Sequence, residues 1–173
     1  PGLGFGYEEA IGFCPDPAHV RDKDGIATSV VAASLVASLK AQGRSVWDEL
    51  ERLARLHGLH VSSPLTFRVE EIEQIASGMA RLRAQPPSVL AGSPVVEVSD
   101  LSQGYRGLPP TDGVLVLTEA GDRVIARPSG TEPKLKCYLE VILPVAEGEP
   151  LPWGQARARL DAIKGAFAEI IGL

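Results

Sequence analysis

Apolar residues recur every three or four positions in four segments of the chain, which is the spacing of one face of an α-helix. Asp24 stands just before the first segment, where its carboxylate is suited to accept hydrogen bonds from free backbone amides. Glycine or proline follows the first three segments, as is common where helices end. The pattern therefore predicts four helices, over residues 26–42, 45–57, 69–85 and 153–171.

The other apolar segments are short, rich in Val, Ile and Leu, and separated by turn residues, which is typical of strands. Glu119-Ala120-Gly121 joins two of them as a glycine-containing hairpin turn. The predicted strands span residues 59–68, 95–98, 113–117, 122–126 and 135–143. An antiparallel sheet with helices packed on one face follows, an α+β architecture preceded by a mainly helical segment.

Composition and charge exclude several classes of protein. The 173 residues, 45% of them hydrophobic, suffice for one domain or two small ones. A net charge of −5 argues against a nucleic-acid binder, which usually carries a basic surface. No stretch approaches the roughly 20 apolar residues of a membrane span. Cys14 and Cys137 lie outside any C-x-x-C pattern, and His57 and His60 lack a third ligand nearby. We therefore expect reduced thiols in a cytoplasmic protein without a metal site in this chain.

One loop between predicted strands carries an unusual set of side chains. The stretch Arg127-Pro128-Ser129-Gly130-Thr131-Glu132-Pro133-Lys134-Leu135-Lys136 combines three cations, two hydroxyls and a glycine. Arginine matches phosphate oxygens with a planar fork, lysine adds a point charge, and glycine lets a ligand approach the backbone. The residue types alone leave two interpretations open, a phosphate site and a β-turn whose cations are merely solvated.

A second polar cluster lies near the start, where Glu8-Glu9 interrupts a glycine-punctuated segment. Two interpretations remain open here as well. The carboxylates are either solvated on a flexible terminal arm or accept hydrogen bonds from sugar hydroxyls.

Two motifs resemble one known family. Arg127-Pro128-Ser129-Gly130-Thr131-Glu132-Pro133-Lys134 resembles the phosphate-binding loop of the α-D-phosphohexomutases, the phosphoglucomutase/phosphomannomutase family, where it belongs to the fourth and last domain. Gly6-Tyr7-Glu8-Glu9-Ala10-Ile11-Gly12 is similar to the sugar-recognition loop of the third domain. The two motifs occur in the family's order, and the resemblance covers the whole chain.

The resemblance implies a domain organisation. Residues 1–60 are expected to be the C-terminal piece of the third, α/β/α domain, with its sugar-binding loop. Residues 61–173 are expected to be the phosphate-binding domain. Because the chain starts at Pro1 without Met, we expect it to be a piece of a longer protein, whose N-terminal domains would be its partners together with the phosphosugar.

The resemblance also implies an activity for the parent protein. It would be an isomerase, an intramolecular phosphotransferase that interconverts hexose 1- and 6-phosphates through a bisphosphate, with glucose 1,6-bisphosphate as intermediate or activator. Such enzymes use a phosphoserine and Mg²⁺ held by a loop of spaced aspartates. No D-G-D-x-D run and no similar serine loop occur in this sequence. We therefore predict no catalytic residue in this chain, and no activity for the chain alone.

Specific roles follow from the same resemblance. The substrate phosphate would contact Arg127, Ser129, Gly130, Thr131 and Lys134. Glu8 and Glu9 would bind the sugar hydroxyls, while Ala10 stands where the family often has serine, which bears on the choice of sugar. The alternatives are a non-catalytic sugar-phosphate-binding module, and a parent that acts on pentose or hexosamine phosphates.

Overall fold

The computed structural model describes residues 3–8, 12–130 and 132–172. The chain forms two compact units, Pro1–Arg52 and Leu53–Leu173. The division falls within a helix, whereas the resemblance suggests a boundary between residues 60 and 61.

The first unit contains a hairpin and a long helix. Strand β1 (Gly6–Glu8) pairs with β2 (Gly12–Cys14), neither of which the sequence pattern predicts, and the ring of Tyr7 stacks on Phe13 with centroids 5.9 Å apart. Helix α1 (Gly25–Ala41) begins where the pattern predicts. Its cap is Asp24, whose Oδ1 accepts from the amides of Ile26 and Ala27, each at 3.0 Å.

The apolar side chains of α1 are mostly exposed. Of its large apolar side chains, Leu39 is buried, and the others, Ile26, Val30, Val31, Leu35 and Val36, are exposed. A two-stranded hairpin offers too little apolar surface to cover a helix of 17 residues.

Helix α2 (Val46–His57) is fixed at its start by reciprocal hydrogen bonds. The Ser45 amide donates to Asp48 Oδ2 at 2.6 Å, and the Asp48 amide donates to Ser45 Oγ at 3.2 Å. The sequence matches a capping box only imperfectly, because aspartate stands where glutamate or glutamine is usual. Within α2, hydrogen bonds from Arg52 and Arg44 lower the pKa of Glu49 to about 2.

The second unit is an antiparallel sheet with two further helices. Its strands follow the order β3-β8-β7-β6-β5-β4, and every neighbouring pair is antiparallel. The elements are β3 (Leu59–Arg68), α3 (Ile72–Ala84), β4 (Val89–Leu90), β5 (Ser93–Asp100), a 3-10 helix (Leu101–Gln103), β6 (Val114–Thr118), β7 (Arg123–Pro128), β8 (Lys134–Leu143) and α4 (Trp153–Ile171).

One face of this sheet carries the core. Along β8 the side chains alternate between buried and partly exposed, as expected for a strand with one covered face. Its buried side chains pack with α3 and α4, while the other face carries mostly polar residues. The predicted α+β architecture with helices on one face is therefore confirmed.

Two details of the second unit differ from the sequence pattern. Helix α3 starts at Ile72 rather than at residue 69, because the Val69 amide donates to the carbonyl of Pro133 at 3.1 Å and keeps the chain extended. The short strand β4 and the 3-10 helix are not predicted, since each is too short for a periodic signal.

Among the described residues, no single helix is long and apolar enough to span a membrane. Helices α1 and α2 meet the criteria of length and composition only as a pair, and the pair is bent by 90°.

Candidate functional site

The loop between β7 and β8 is fixed to the sheet from two sides. Pro128 and Leu135 are paired across the two strands, and the Ser129 amide donates to the carbonyl of Lys134 at 2.9 Å. On the other side, Val69 just beyond β3 donates to the carbonyl of Pro133. Three strands therefore hold the backbone at both ends of the loop, at Ser129 and at Pro133.

Four cations lie at this end of the sheet on one face. Arg127 is opposite Lys136, and Arg68 of β3 is opposite Lys134. Residues directly opposite in an antiparallel pair share a face. Their neighbours along the strands, such as Ala126 and Leu135, are buried on the helix side, so the four cations lie on the face away from the helices.

Glu132 is placed among these cations. Its carboxylate lies 2.6 Å from Lys134 Nζ and 3.8 Å from an Arg68 guanidinium nitrogen. The hydrogen bond from Lys134 is the main cause of a lowered Glu132 pKa, and the charges of Arg68 and Lys136 add to it. Lys134 therefore already has a carboxylate partner, Glu132.

The remaining predicted phosphate ligands differ in exposure. Arg127 is exposed and has no hydrogen bond or ion pair from its side chain among the residues that the structure describes. Gly130 is also exposed, and a Cβ built there would meet no atom within 4 Å. Its φ is not in the left-handed region. Gly130 therefore leaves open space for a ligand next to the backbone and does not provide an unusual backbone conformation. Ser129 is half-buried, and Thr131 lies outside the described residues.

Glu8 lines an open pocket of about 650 Å³ in the first unit. Lys23 Nζ lies 3.7 Å from Glu8 Oε1, and Arg21 lines the same pocket. Gly12 makes room for this pair, because a Cβ there would collide with Lys23 Cδ and would lie 2.7 Å from Glu8 Oε1. Glu9 and Ala10 lie outside the described residues.

The sequence pattern did not identify several residues of the β7–β8 loop site and of the pocket beside Glu8. Arg68 is distant from the loop in the sequence and ends an ordinary strand, so no local signal marks it. Arg21 and Lys23 lie in a segment that the pattern treats only as a loop before a helix. The pairing of Glu132 with Lys134 could have been predicted from the sequence, since opposite charges two residues apart at a strand end are able to meet.

The part of the chain that the structure describes contains no group of side chains suited to bind Mg²⁺. No three His, Cys, Asp or Glu side chains there are grouped as metal ligands. These residues do not fit the ion, so no chemical step in this chain is assigned to it.

The chain is similar to proteins of one family. Residues 65–152 match the family model described as the phosphoglucomutase/phosphomannomutase C-terminal domain. A probable phosphomannomutase of Haemophilus influenzae is 42% identical over 139 residues, which are 80% of this chain and 28% of that protein. A phosphoglucomutase of Staphylococcus haemolyticus is 34% identical over 151 residues, covering 79% of this chain and 27% of that protein.

A solved structure agrees in fold. The open form of pp63/parafusin, a phosphoglucomutase from Paramecium, matches with a TM-score of 0.61 and 18% sequence identity. The match covers 95% of this chain and 30% of that one. The chain thus spans 28% of the Haemophilus relative and a comparable share of the Staphylococcus relative.

Proposed function

We propose that this chain, which belongs to the phosphoglucomutase/phosphomannomutase family and matches the C-terminal domain of its members, holds the phosphate of a sugar substrate. The whole protein would be an enzyme that interconverts hexose 1- and 6-phosphates. The observation that carries the proposal is the cluster of four cations around the β7–β8 loop. In a chain of net charge −5, such a local concentration of positive charge suits a dianionic ligand.

Each side of the loop has a distinct role in this proposal. Arg127 forms a bidentate contact with the phosphate, and its lack of a carboxylate partner among the described residues leaves its fork available. Lys134 contributes charge while it keeps its contact with Glu132, because an ammonium has three donors. Ser129, Thr131 and the backbone at Gly130 donate the remaining hydrogen bonds.

We also propose that Glu8 and Glu9 accept hydrogen bonds from sugar hydroxyls. Support comes from the pocket beside Glu8, where Lys23 lies near the carboxylate without enclosing it. About half of the Glu8 side chain is exposed, so its free lone pairs remain available to vicinal hydroxyl donors. The names of the relatives include both a mannose and a glucose enzyme, so a hexose phosphate is the proposed substrate.

In this proposal the chain binds the end of the substrate that does not react. The phosphoserine, the Mg²⁺ site and the catalytic residues would belong to other parts of the protein, and glucose 1,6-bisphosphate would be the intermediate. Binding energy from the held phosphate then orients and desolvates the reacting end. The chain alone would bind ligand without turnover.

The exposed face of α1 supports a partner for the first unit. Ile26 is 84% exposed and Val30 is 66% exposed, although α1 is apolar enough for the interior of a protein. A helix that is apolar on most sides is normally covered. We propose that the N-terminal domains of the same protein cover it.

A titration followed by NMR tests the phosphate assignment. Inorganic phosphate, glucose 1-phosphate and glucose 1,6-bisphosphate are added to the 173-residue chain and to the Arg127→Ala variant. We expect amide shifts to cluster at residues 127–136 and Arg127→Ala to weaken binding at least about tenfold. Arg123→Ala is the matched control, because Arg123 starts the same strand but pairs with Glu140.

Each outcome of the titration distinguishes the hypotheses. Equal affinities for wild type and Arg127→Ala would overturn the assignment of the loop. Tighter binding of ribose or glucosamine phosphate than of hexose phosphates would favour the alternative substrates. Turnover of glucose 1-phosphate by the isolated chain would contradict the placement of catalysis elsewhere.

A further inference from the structure

Arg68 belongs to the phosphate loop in space although not in sequence. It ends β3 directly opposite Lys134, and the amide of the next residue, Val69, donates to the carbonyl of Pro133. The strand that carries Arg68 is therefore bound to the loop through its backbone. Arg68 thus adds a second guanidinium to the cluster, although it precedes Arg127 by 59 residues in the sequence.

The two contacts of Glu132 are unequal. Its contact with Lys134 is a hydrogen bond of 2.6 Å, and the Lys134 side chain is only 13% exposed. Its contact with Arg68 is 3.8 Å, beyond hydrogen-bond distance, and the Arg68 side chain is 76% exposed. An exposed pair at this distance contributes little and is easily rearranged, whereas the shorter and more enclosed pair persists.

We propose that Arg68 is a further phosphate ligand of this site. The incoming phosphate replaces the Glu132 carboxylate as the partner of the Arg68 guanidinium. Glu132 then stays with Lys134 and opposes the phosphate as a like charge, which limits its affinity. This inference rests on the proposed phosphate-binding function, since it names an additional residue and a counter-charge of that same loop.

The geometry favours this exchange over a purely structural ion pair. A structural role for Arg68 would require a close contact or burial, and it has neither. Arg68 also lies on the same face as the other three cations, so one anion above the loop attracts all of them. Release of phosphate is helped by a carboxylate that returns to the vacated guanidinium.

Affinity measurements on matched variants test the inference. The 173-residue chain is titrated calorimetrically with inorganic phosphate and with glucose 1-phosphate, at two salt concentrations. We expect Arg68→Gln to weaken binding roughly threefold to tenfold, and to reduce its salt dependence. Arg68→Lys should recover most of the loss because it restores the charge. Glu132→Gln should tighten binding by about threefold.

Two controls separate this inference from the proposed function. Arg123→Gln removes an arginine that pairs with Glu140, six register positions along β8 from Lys134, and should leave the affinity unchanged. Arg127→Ala should weaken binding at least about tenfold. Thermal unfolding of Arg68→Gln should match wild type, because the side chain is mostly exposed.

The outcomes are distinguishable. If Arg127→Ala weakens binding while Arg68→Gln does not, the Arg68 inference is overturned and the proposed function stands. If Arg127→Ala binds like wild type, or the wild-type chain binds no phosphate, the proposed function fails and the inference fails with it. Weaker binding by Glu132→Gln would overturn the proposed exchange at Arg68, because the carboxylate would then assist binding instead of opposing the phosphate.

Discussion

Arg159 of α4 donates one hydrogen bond to Oδ2 of Asp122 and forms an ion pair with the same oxygen. Nε lies 2.9 Å and Nη2 lies 2.7 Å from Asp122 Oδ2. Asp122 is fully buried in the turn before β7, where its amide donates to Thr118 Oγ1 at 3.0 Å. Its Oδ1 has no partner among the described residues. The pair fastens α4 to the end of the sheet opposite the phosphate loop.

We expect Asp122→Ala to lower the free energy of unfolding by about 3 kcal/mol, because it leaves the Arg159 charge partly buried without its partner. Urea unfolding followed by circular dichroism measures the change. Asp161→Ala, on the exposed side of the same helix, should change stability by less than about 0.5 kcal/mol. Equal losses in the two variants would contradict the buried pair as an anchor.

Gly165 lies inside α4, where a Cβ would meet no atom within 4 Å. Gly165→Ala should raise the free energy of unfolding by roughly 0.5–1 kcal/mol, since alanine favours the helix. Gly172 is the contrasting position. Its φ is +67°, and a Cβ there would lie 2.8 Å from Arg81 Nη2, so Gly172→Ala should destabilise. Thermal unfolding of both variants checks the opposite signs.

Gly130→Ala should separate binding from folding. Because the added methyl group meets only open space and φ is ordinary, we expect the free energy of unfolding to stay within about 0.5 kcal/mol of wild type. A phosphate that approaches the backbone would meet the methyl group, so the Kd for inorganic phosphate should rise severalfold. Calorimetry measures it, with Gly165→Ala as the control. An unchanged Kd would place the ligand away from Gly130.

Cys137 is predicted to be unreactive in the folded chain. Burial raises the pKa of its thiol to about 12, so almost no thiolate exists at pH 8. Cys14 is half-buried only. Titration with a thiol reagent at pH 8 should modify one cysteine rapidly and the second only after denaturation. Cys14→Ser, as the control, should remove the rapid phase. Rapid modification of both thiols would contradict the burial of Cys137.

The same pKa gives a dependence of stability on pH. The unfolded thiol ionises near pH 9.0 and the folded one near 12, so its contribution is complete below pH 9 and is lost as the pH rises toward 12. We expect Cys137→Ala to show a shallower loss of stability between pH 9 and pH 11 than wild type, measured by urea unfolding. An identical slope would contradict the shift.

The local sequence predicts most elements of the fold. The Asp24 cap, the strand at residues 59–68 and the final helix at 153–171 are confirmed, because each is marked by a signal within its own residues. The short strands β1 and β2 are not predicted, since three residues carry no period and depend on pairing with each other. The exposed face of α1 is likewise a tertiary fact, because periodicity marks an apolar face but not what covers it.

The candidate site divides in the same way. The sequence by itself determines the loop at residues 127–136, because its hydroxyls, glycine and cations are contiguous and lie between two strands. Only the tertiary structure brings Arg68 to that loop, through the register of β3 on β8. It also decides that Lys134 is paired with Glu132 while Arg127 is not paired among the described residues. Which charges meet depends on strand pairing between distant residues, and no local pattern encodes those distances.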